Sequence, residues 1–477
     1  IWKQRGMGSL PPQTVATQAT GVETTEEAVL TLRTVERTIR EEHFPHHPPP
    51  PYARLNHGSY GASPTSVINS QNEFRARWFH QPDEYLHRGE GLAPSDDPSP
   101  LPGNMEADLR RSVQTVASLV NADPSEICLV DNATTGAVIV AQDVLFGFVT
   151  GRFRRGDVVL MADTGYNAVK KLLERYVVGA GGELVFVDMP FPVHSLEQIL
   201  DAYRKTVEAV RKRDPPVRIC FAAVDHISSL PMVVLPLKEL VEVLHGYEIP
   251  VFVDGAHGIG NVRLDMAEIG ADFYVSNLHK WLLCPPPVAF FHAKKEHSPR
   301  LHHPVTSHNL NRGLFLESAW VGTRDYSAQL CVPSAVEFIH TVLGGVDMMI
   351  DSNTKAALEM GRMLAGAWGT GLGAPPEMQC SMVMVGLPDA FGVNSFEDSL
   401  RLRTRLRDEW QVEVPLYYLP EEKRKRAREV AAGLTESTEV WVGRSYARVS
   451  HHVYNDRQNY ERLRDAVLAL AKEASEH

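Results

Sequence analysis

Two ionisable residues stand at the ends of apolar runs. Val251-Phe252-Val253 ends in Asp254, and Phe273-Tyr274-Val275-Ser276 leads through Asn277, Leu278 and His279 to Lys280. Short apolar runs bounded by Gly and polar residues read as buried strands. Open α/β sheets bind ligands at the carboxyl ends of their strands, so both side chains arrive where a ligand would lie. A carboxylate in apolar surroundings is costly unless a cation or a donor faces it. A lysine amine can form a Schiff base with a carbonyl. An acid for a protonated ring nitrogen and an amine for an aldehyde match the two ends of one cofactor, pyridoxal 5'-phosphate. Each residue alone has an ordinary reading: a turn-capping Asp and a surface Lys.

Neighbouring motifs change that balance. VDNATTGAVIVAQ (130–142) follows a strand and opens a helix. Thr134, Thr135 and Gly136 would offer hydroxyls and free N–H groups at a helix N-terminus, a phosphate site. His257 lies three residues beyond Asp254, within reach of the cofactor's phenolic oxygen. His279 and Asn277 flank the lysine and are candidate phosphate contacts.

The elements that must position these residues follow an α/β rhythm. Helices are expected at 66–80, 105–120, 134–149, 166–178, 195–212, 236–246 and near 264–269. Strands are expected at 126–130, 157–162, 183–187, 217–224, 250–254 and 272–276. Such alternation implies right-handed βαβ units and a mainly parallel sheet. After about residue 345 the pattern shortens: helix 346–369, strand 380–387, helix 395–406, strands 411–414 and 446–451, helix 456–474. The expected organisation is an N-terminal extension (1–45), a segment with active-site loops (46–103), a large cofactor domain (104–345) and a small C-terminal domain (346–477). Residues 1–23 read as disordered, 24–43 as a capped amphipathic helix, and 90–103 as a polar Pro-rich loop.

The 477 residues fit more than one domain. The net charge of −11 gives no support for nucleic acid or an anionic membrane as partner. No apolar run reaches 18 residues, so no membrane span is expected. Five scattered cysteines without CxxC fit a reducing compartment, read here as cytoplasmic, with organelle targeting left open. The first 23 residues lack the apolar core of a secretory signal. HFPHH (43–47) and HSPRLHHPVTSH (297–308) are His-rich but show neither a helical i, i+4 pair nor cysteines. They read as loop histidines, and no metal is expected.

The ordered set LNHGSYG (55–61), DNATTG (131–136), VDGAHGIG (253–260), NLHKW (277–281), WVGTRD (320–325) and ARVSHHVYN (447–455) resembles the class V aminotransferase family. That family comprises fold-type I pyridoxal phosphate enzymes, including cysteine desulfurases, desulfhydrases and isopenicillin N epimerase-like proteins. The resemblance spans about residues 55–470. It implies a large domain with a mainly parallel seven-stranded sheet flanked by helices, and a smaller α+β domain. It implies Lys280 as the Schiff-base lysine, Asp254 as the ring-nitrogen partner, His257 at the phenolic oxygen, and Thr134 and Thr135 in the phosphate cup. His279 matches the histidine of the family's Ser-x-His-Lys signature; Asn277 stands where the serine usually does, with Ser276 as a substitute. Tyr166 matches a ring stacked on the cofactor, as in the epimerase and desulfhydrase branch; desulfurases have histidine there. Thr323 matches a residue that reaches the neighbouring subunit's phosphate, implying a homodimer with shared sites. Arg448 matches the grip on the substrate α-carboxylate, with Asn56 beside it. Tyr85 and Arg88 lie in a segment that lines the partner's site in the epimerase-like branch.

A family desulfurase that forms persulfide needs a reactive, loop-borne cysteine. Cys331 and Cys380 read instead as buried, one at a helix start and one at a strand entry. The expectation is therefore a carbon–sulfur lyase acting on L-cysteine or a cysteine conjugate, with amino-acid epimerase as the alternative. A catalytically dead scaffold is disfavoured by the intact Lys280 and Asp254.

Overall fold

The computed structural model describes residues 39–87, 103–433 and 439–476. Expectations for residues 1–23, most of the 24–43 helix, nearly all of the 90–103 loop and Arg88 lie outside those residues.

Seven strands form the main sheet: β1 (Ile127–Val130), β2 (Val158–Ala162), β3 (Glu183–Val187), β4 (Ile219–Asp225), β5 (Val251–Asp254), β6 (Phe273–Asn277) and β7 (Ala289–Ala293). Their order is β1-β7-β6-β5-β4-β2-β3. The pairs from β6 to β3 are parallel, while β7 runs antiparallel to both β1 and β6. Successive side chains alternate between faces. In β2, Val158, Leu160 and Ala162 enter one core, and Val159 and Met161 the other. Helices cover both faces, which is why these strands read as unbroken apolar runs.

A second sheet holds β8 (Met382–Gly386), β9 (Leu416–Tyr418) and β10 (Ser445–Ser450), antiparallel in the order β9-β10-β8. Helices Val346–Trp368 and Arg457–Ser475 pack on it through Leu364, Trp368, Leu463 and Val467. Asp456 starts the last helix in a reciprocal capping box with Asn459. Ala53–Arg54 pairs in parallel with Val412–Glu413, so the N-terminal segment is stitched to the C-terminal part of the chain.

Three differences from the sequence reading have physical causes. The expected strand 411–414 is only Val412–Glu413, because Pro415 follows and cannot donate to a ladder. β7 was not expected; its five buried residues lack a distinguishing period, and its antiparallel insertion breaks the βαβ rule. Helix Glu421–Ala432 was also missed, since EEKRKRAREVAA carries no apolar stripe.

Candidate active site

β4 and β5 end side by side in Asp225 and Asp254, which are register partners. Neighbours in a parallel ladder point to the same face. Both carboxyls are buried, at 6% and 7% exposure. Asp254 accepts the Ala256 N–H at 3.0 Å. Burial pushes its carboxyl above the usual range, against that hydrogen bond and the attraction of Lys280. Asp225 is pushed up by burial and by the charge of Asp254. Asp225 was not singled out in the sequence, although AAVDH repeats the Val-Asp ending of VFVDG.

β6 runs directly into a single turn of helix, Leu278–Trp281, which carries the lysine. Lys280 Nζ lies 3.4 Å from His257 Nε2. Burial pulls the amine down to about 8, opposed by Asp254. Near neutrality an appreciable fraction is therefore the neutral, nucleophilic form. The turn is clamped from the N-terminal segment: His57 Nε2 meets the Lys280 carbonyl at 2.9 Å. Gly61, at φ +67°, approaches so closely that a Cβ there would lie 2.0 Å from the His279 carbonyl oxygen. His279 places Nδ1 2.7 Å from the Val288 carbonyl, and burial holds its ring down at about 4.

Helix Ala133–Val149 begins beside β6. Asn132 caps it by accepting the Thr135 N–H at 3.0 Å. Asn277 accepts the Ala133 N–H at 2.9 Å and so ties the lysine's strand to the helix start. Gly136 permits this approach, since a Cβ would meet Val275 at 2.6 Å. Thr134 and Thr135 are half-buried at that end. The Ser276 hydroxyl, by contrast, is occupied by Gly255 and Ile259. Arg324 binds Asp131 at 2.7 Å, which brings the 320–325 loop to the same helix start. Thr323 itself is exposed. Tyr166 precedes helix Asn167–Tyr176 and is 51% exposed.

Arg448, on β10, is 2% exposed, yet its described hydrogen-bond partners are all neutral. Nη1 donates to the Ser229 carbonyl at 2.8 Å; Nη2 donates to Asn56 Oδ1 and Ser59 Oγ, each at 2.8 Å. Arg448 Nε and Asn56 Nδ2 are buried without a hydrogen-bond partner. Burial, with Arg403 nearby, pulls the guanidinium down to about 10. Lys280 and His257 both feel its charge. Ser59 and Ser229 were not foreseen, because only the folded chain brings residues 59, 229 and 448 together. Tyr85 is not part of this cluster; within its own chain its hydroxyl donates to Asp108 at 2.9 Å and its ring supports Arg77.

All five cysteines are buried, and burial pushes every thiol up. The His-rich stretches are not free loops, as the sequence reading had them. His297 binds Asp272, His302 binds Glu317, and His47 packs on Tyr454. Among the described residues, Asp272, Glu296 and His297 bring ligand atoms within 4.8 Å of one another, but Asp272 is saturated by hydrogen bonds.

The residues fit pyridoxal phosphate. A buried carboxylate with one N–H partner leaves an acceptor site for a ring N–H. The Lys280 amine is softened towards neutrality, and a capped helix start with two threonines suits a phosphate. Sheet and site together define the class, fold-type I enzymes that carry this cofactor. The aminotransferase class-V signature matches residues 83–319. A putative L-cysteine desulfhydrase 1 of Oryza sativa subsp. japonica is 45% identical over 91% of this chain and 85% of that protein. A probable chloroplastic L-cysteine desulfhydrase of Arabidopsis thaliana is 42% identical over 91% and 86%. An isopenicillin N epimerase of Streptomyces clavuligerus is 26% identical over 89% and 96%. The apo cysteine desulfurase of Thermococcus onnurineus NA1 shares the fold, with a TM-score of 0.67 at 16% identity over 91% of this chain and 98% of that one. The chain belongs to the aminotransferase class-V family.

Proposed function

We propose that the chain is a pyridoxal-phosphate-dependent carbon–sulfur lyase that converts L-cysteine and water to sulfide, pyruvate and ammonia. The observation that carries the reading is the buried Arg448 guanidinium with neutral partners, within electrostatic reach of Lys280. A planar, bidentate cation left without a carboxylate is suited to the α-carboxylate of an amino acid. The relatives at 42–45% identity, named desulfhydrases, supply cysteine as the amino acid, ahead of the epimerase named at 26%.

Bound at Lys280, the cofactor would supply an electron sink for a carbanion at the substrate Cα. The chain's own residues do the rest. Asp254 would hold the ring nitrogen protonated. His257 would meet the phenolic oxygen, and Tyr166 would cover a ring face. Thr134, Thr135, Asn277 and His279 would hold the phosphate. Arg448 and Asn56 orient the substrate so that its Cα proton faces Nζ of Lys280, which takes it as a general base. No persulfide-carrying thiol is needed for this route, in keeping with five buried cysteines.

The active form is proposed to be a homodimer, with Thr323 reaching the neighbouring phosphate. The exposure of Thr323 and of Phe79 (82%) supports that reading. Sedimentation is expected to give twice the chain mass. The five unpaired cysteines support a reducing compartment, proposed as the cytoplasm. No helix among the described residues is long and apolar enough to cross a membrane.

The test is turnover of L-cysteine in deuterated water. Sulfide and pyruvate in equal amounts are expected. Cα deuteration without sulfide would replace the lyase by the epimerase.

A further inference from the structure

Trp281 follows the lysine and is fully buried. Its indole Nε1–H donates to His257 Nδ1 at 3.3 Å. The other nitrogen of that ring, Nε2, faces Lys280 Nζ at 3.4 Å. Indole can only donate, so the nitrogen it meets must be bare. A neutral imidazole carries one proton, which is then on Nε2. An ammonium only donates, so the arrangement needs Lys280 as the neutral amine, which accepts from Nε2–H and prevails above about 8. Burial is the main cause that keeps the imidazole neutral, with the Arg448 charge adding to it.

We propose that Trp281 is a positioning residue that locks His257 in the Nε2–H form, so that the site presents a fixed N–H donor beside Lys280. The indole is itself held in place. It packs 4.6 Å from the ring of His57, and the ring of His452 stacks on it at 6.0 Å. His57 is fixed in turn: the Lys280 carbonyl can only accept, so His57 Nε2 carries the proton and Nδ1 accepts from the Tyr454 hydroxyl at 2.8 Å. A fixed N–H at His257 suits an oxygen with anionic character, such as the cofactor's phenolic oxygen. That part of the inference rests on the proposed function, while the tautomer itself does not.

The tautomer is read directly from ¹⁵N shifts of labelled histidine in the cofactor-free chain, above the Lys280 titration at about 8, with His257→Gln assigning the signal. A bare Nδ1 and a protonated Nε2 are expected. Trp281→Phe keeps a ring and removes the donor. It should give mixed tautomers at His257 and lower kcat about tenfold, with KM for L-cysteine within about twofold. In the His257→Gln background the same change should alter kcat by less than about twofold, because an amide has no tautomer to lose. Should Trp281→Phe not fold, benzothienylalanine at position 281 replaces the N–H by sulfur at nearly constant size. A protonated Nδ1 in the unmodified chain, or an unchanged tautomer once the donor is gone, would overturn the proposal. Failure to bind pyridoxal phosphate would overturn the cofactor reading and leave the tautomer result standing.

Discussion

Asp254 and Asp272 are buried aspartates associated with neighbouring strands, at opposite edges of one sheet. Asp272 precedes β6 at the edge away from the lysine. Its Oδ2 accepts from His245 Nε2 and the Val251 N–H, and its Oδ1 from His297 Nε2, each at 2.8 Å. Burial pushes its carboxyl up, but the two histidines and the Val251 N–H together pull it well below the usual range. Asp254 accepts one backbone N–H and is left high. One edge of the sheet is finished by the protein; the other is complete only with a ligand. A buried carboxyl short of partners is therefore the informative one.

The contrast can be broken by substitution. Lys280→Ala should have the largest effect, cutting sulfide release by more than about a thousandfold and removing the visible absorption of the lysine-linked cofactor. Circular dichroism should show the fold intact. Asp254→Asn should lower kcat about a hundredfold or more while leaving urea stability of the cofactor-free chain unchanged or slightly raised. Asp272→Asn should do the reverse: a loss of about 2–4 kcal/mol in urea unfolding, with kcat of the folded protein within about twofold. An Asp254 variant that unfolds with full activity per folded chain would erase the distinction.

Arg448→Lys should raise KM for L-cysteine about tenfold or more, with a smaller change in kcat, since an ammonium cannot replace the fork. The smallest effects concern pH. Asp272 is depressed in the folded chain, so the unfolded chain binds more protons as pH falls below the ordinary carboxylate range near 4. Its stabilisation is complete above that range and fades beneath it. Lys280 titrates at about 8, so cofactor uptake, followed by absorbance, should accelerate as pH rises through that value.

Much of this was legible in the sequence because strand ends and helix starts carry local signals. Asp254, Lys280 and the DNATTG helix start sit at such punctuation. The parallel direction of β2–β6 followed from strand and helix alternation; their order in the sheet did not. What could not be read depends on contacts distant in sequence. Ser59 and Ser229 meet Arg448 only through the fold, and Trp281 shows its donor role only once His257 is beside it. Tyr85 rests on resemblance to a segment that lines the partner's site, and its own-chain bond to Asp108 could not be read from that resemblance. Asp225 was missed even though its strand ends as β5 does, because nothing local marks β4 and β5 as neighbours.

The central claim is that Lys280 is the residue that anchors the cofactor. Load the chain with pyridoxal phosphate, reduce it with borohydride, and map the modified peptide by mass spectrometry. One reduced cofactor is expected, on Lys280. Modification of Lys170 or Lys423 with Lys280 untouched would contradict it.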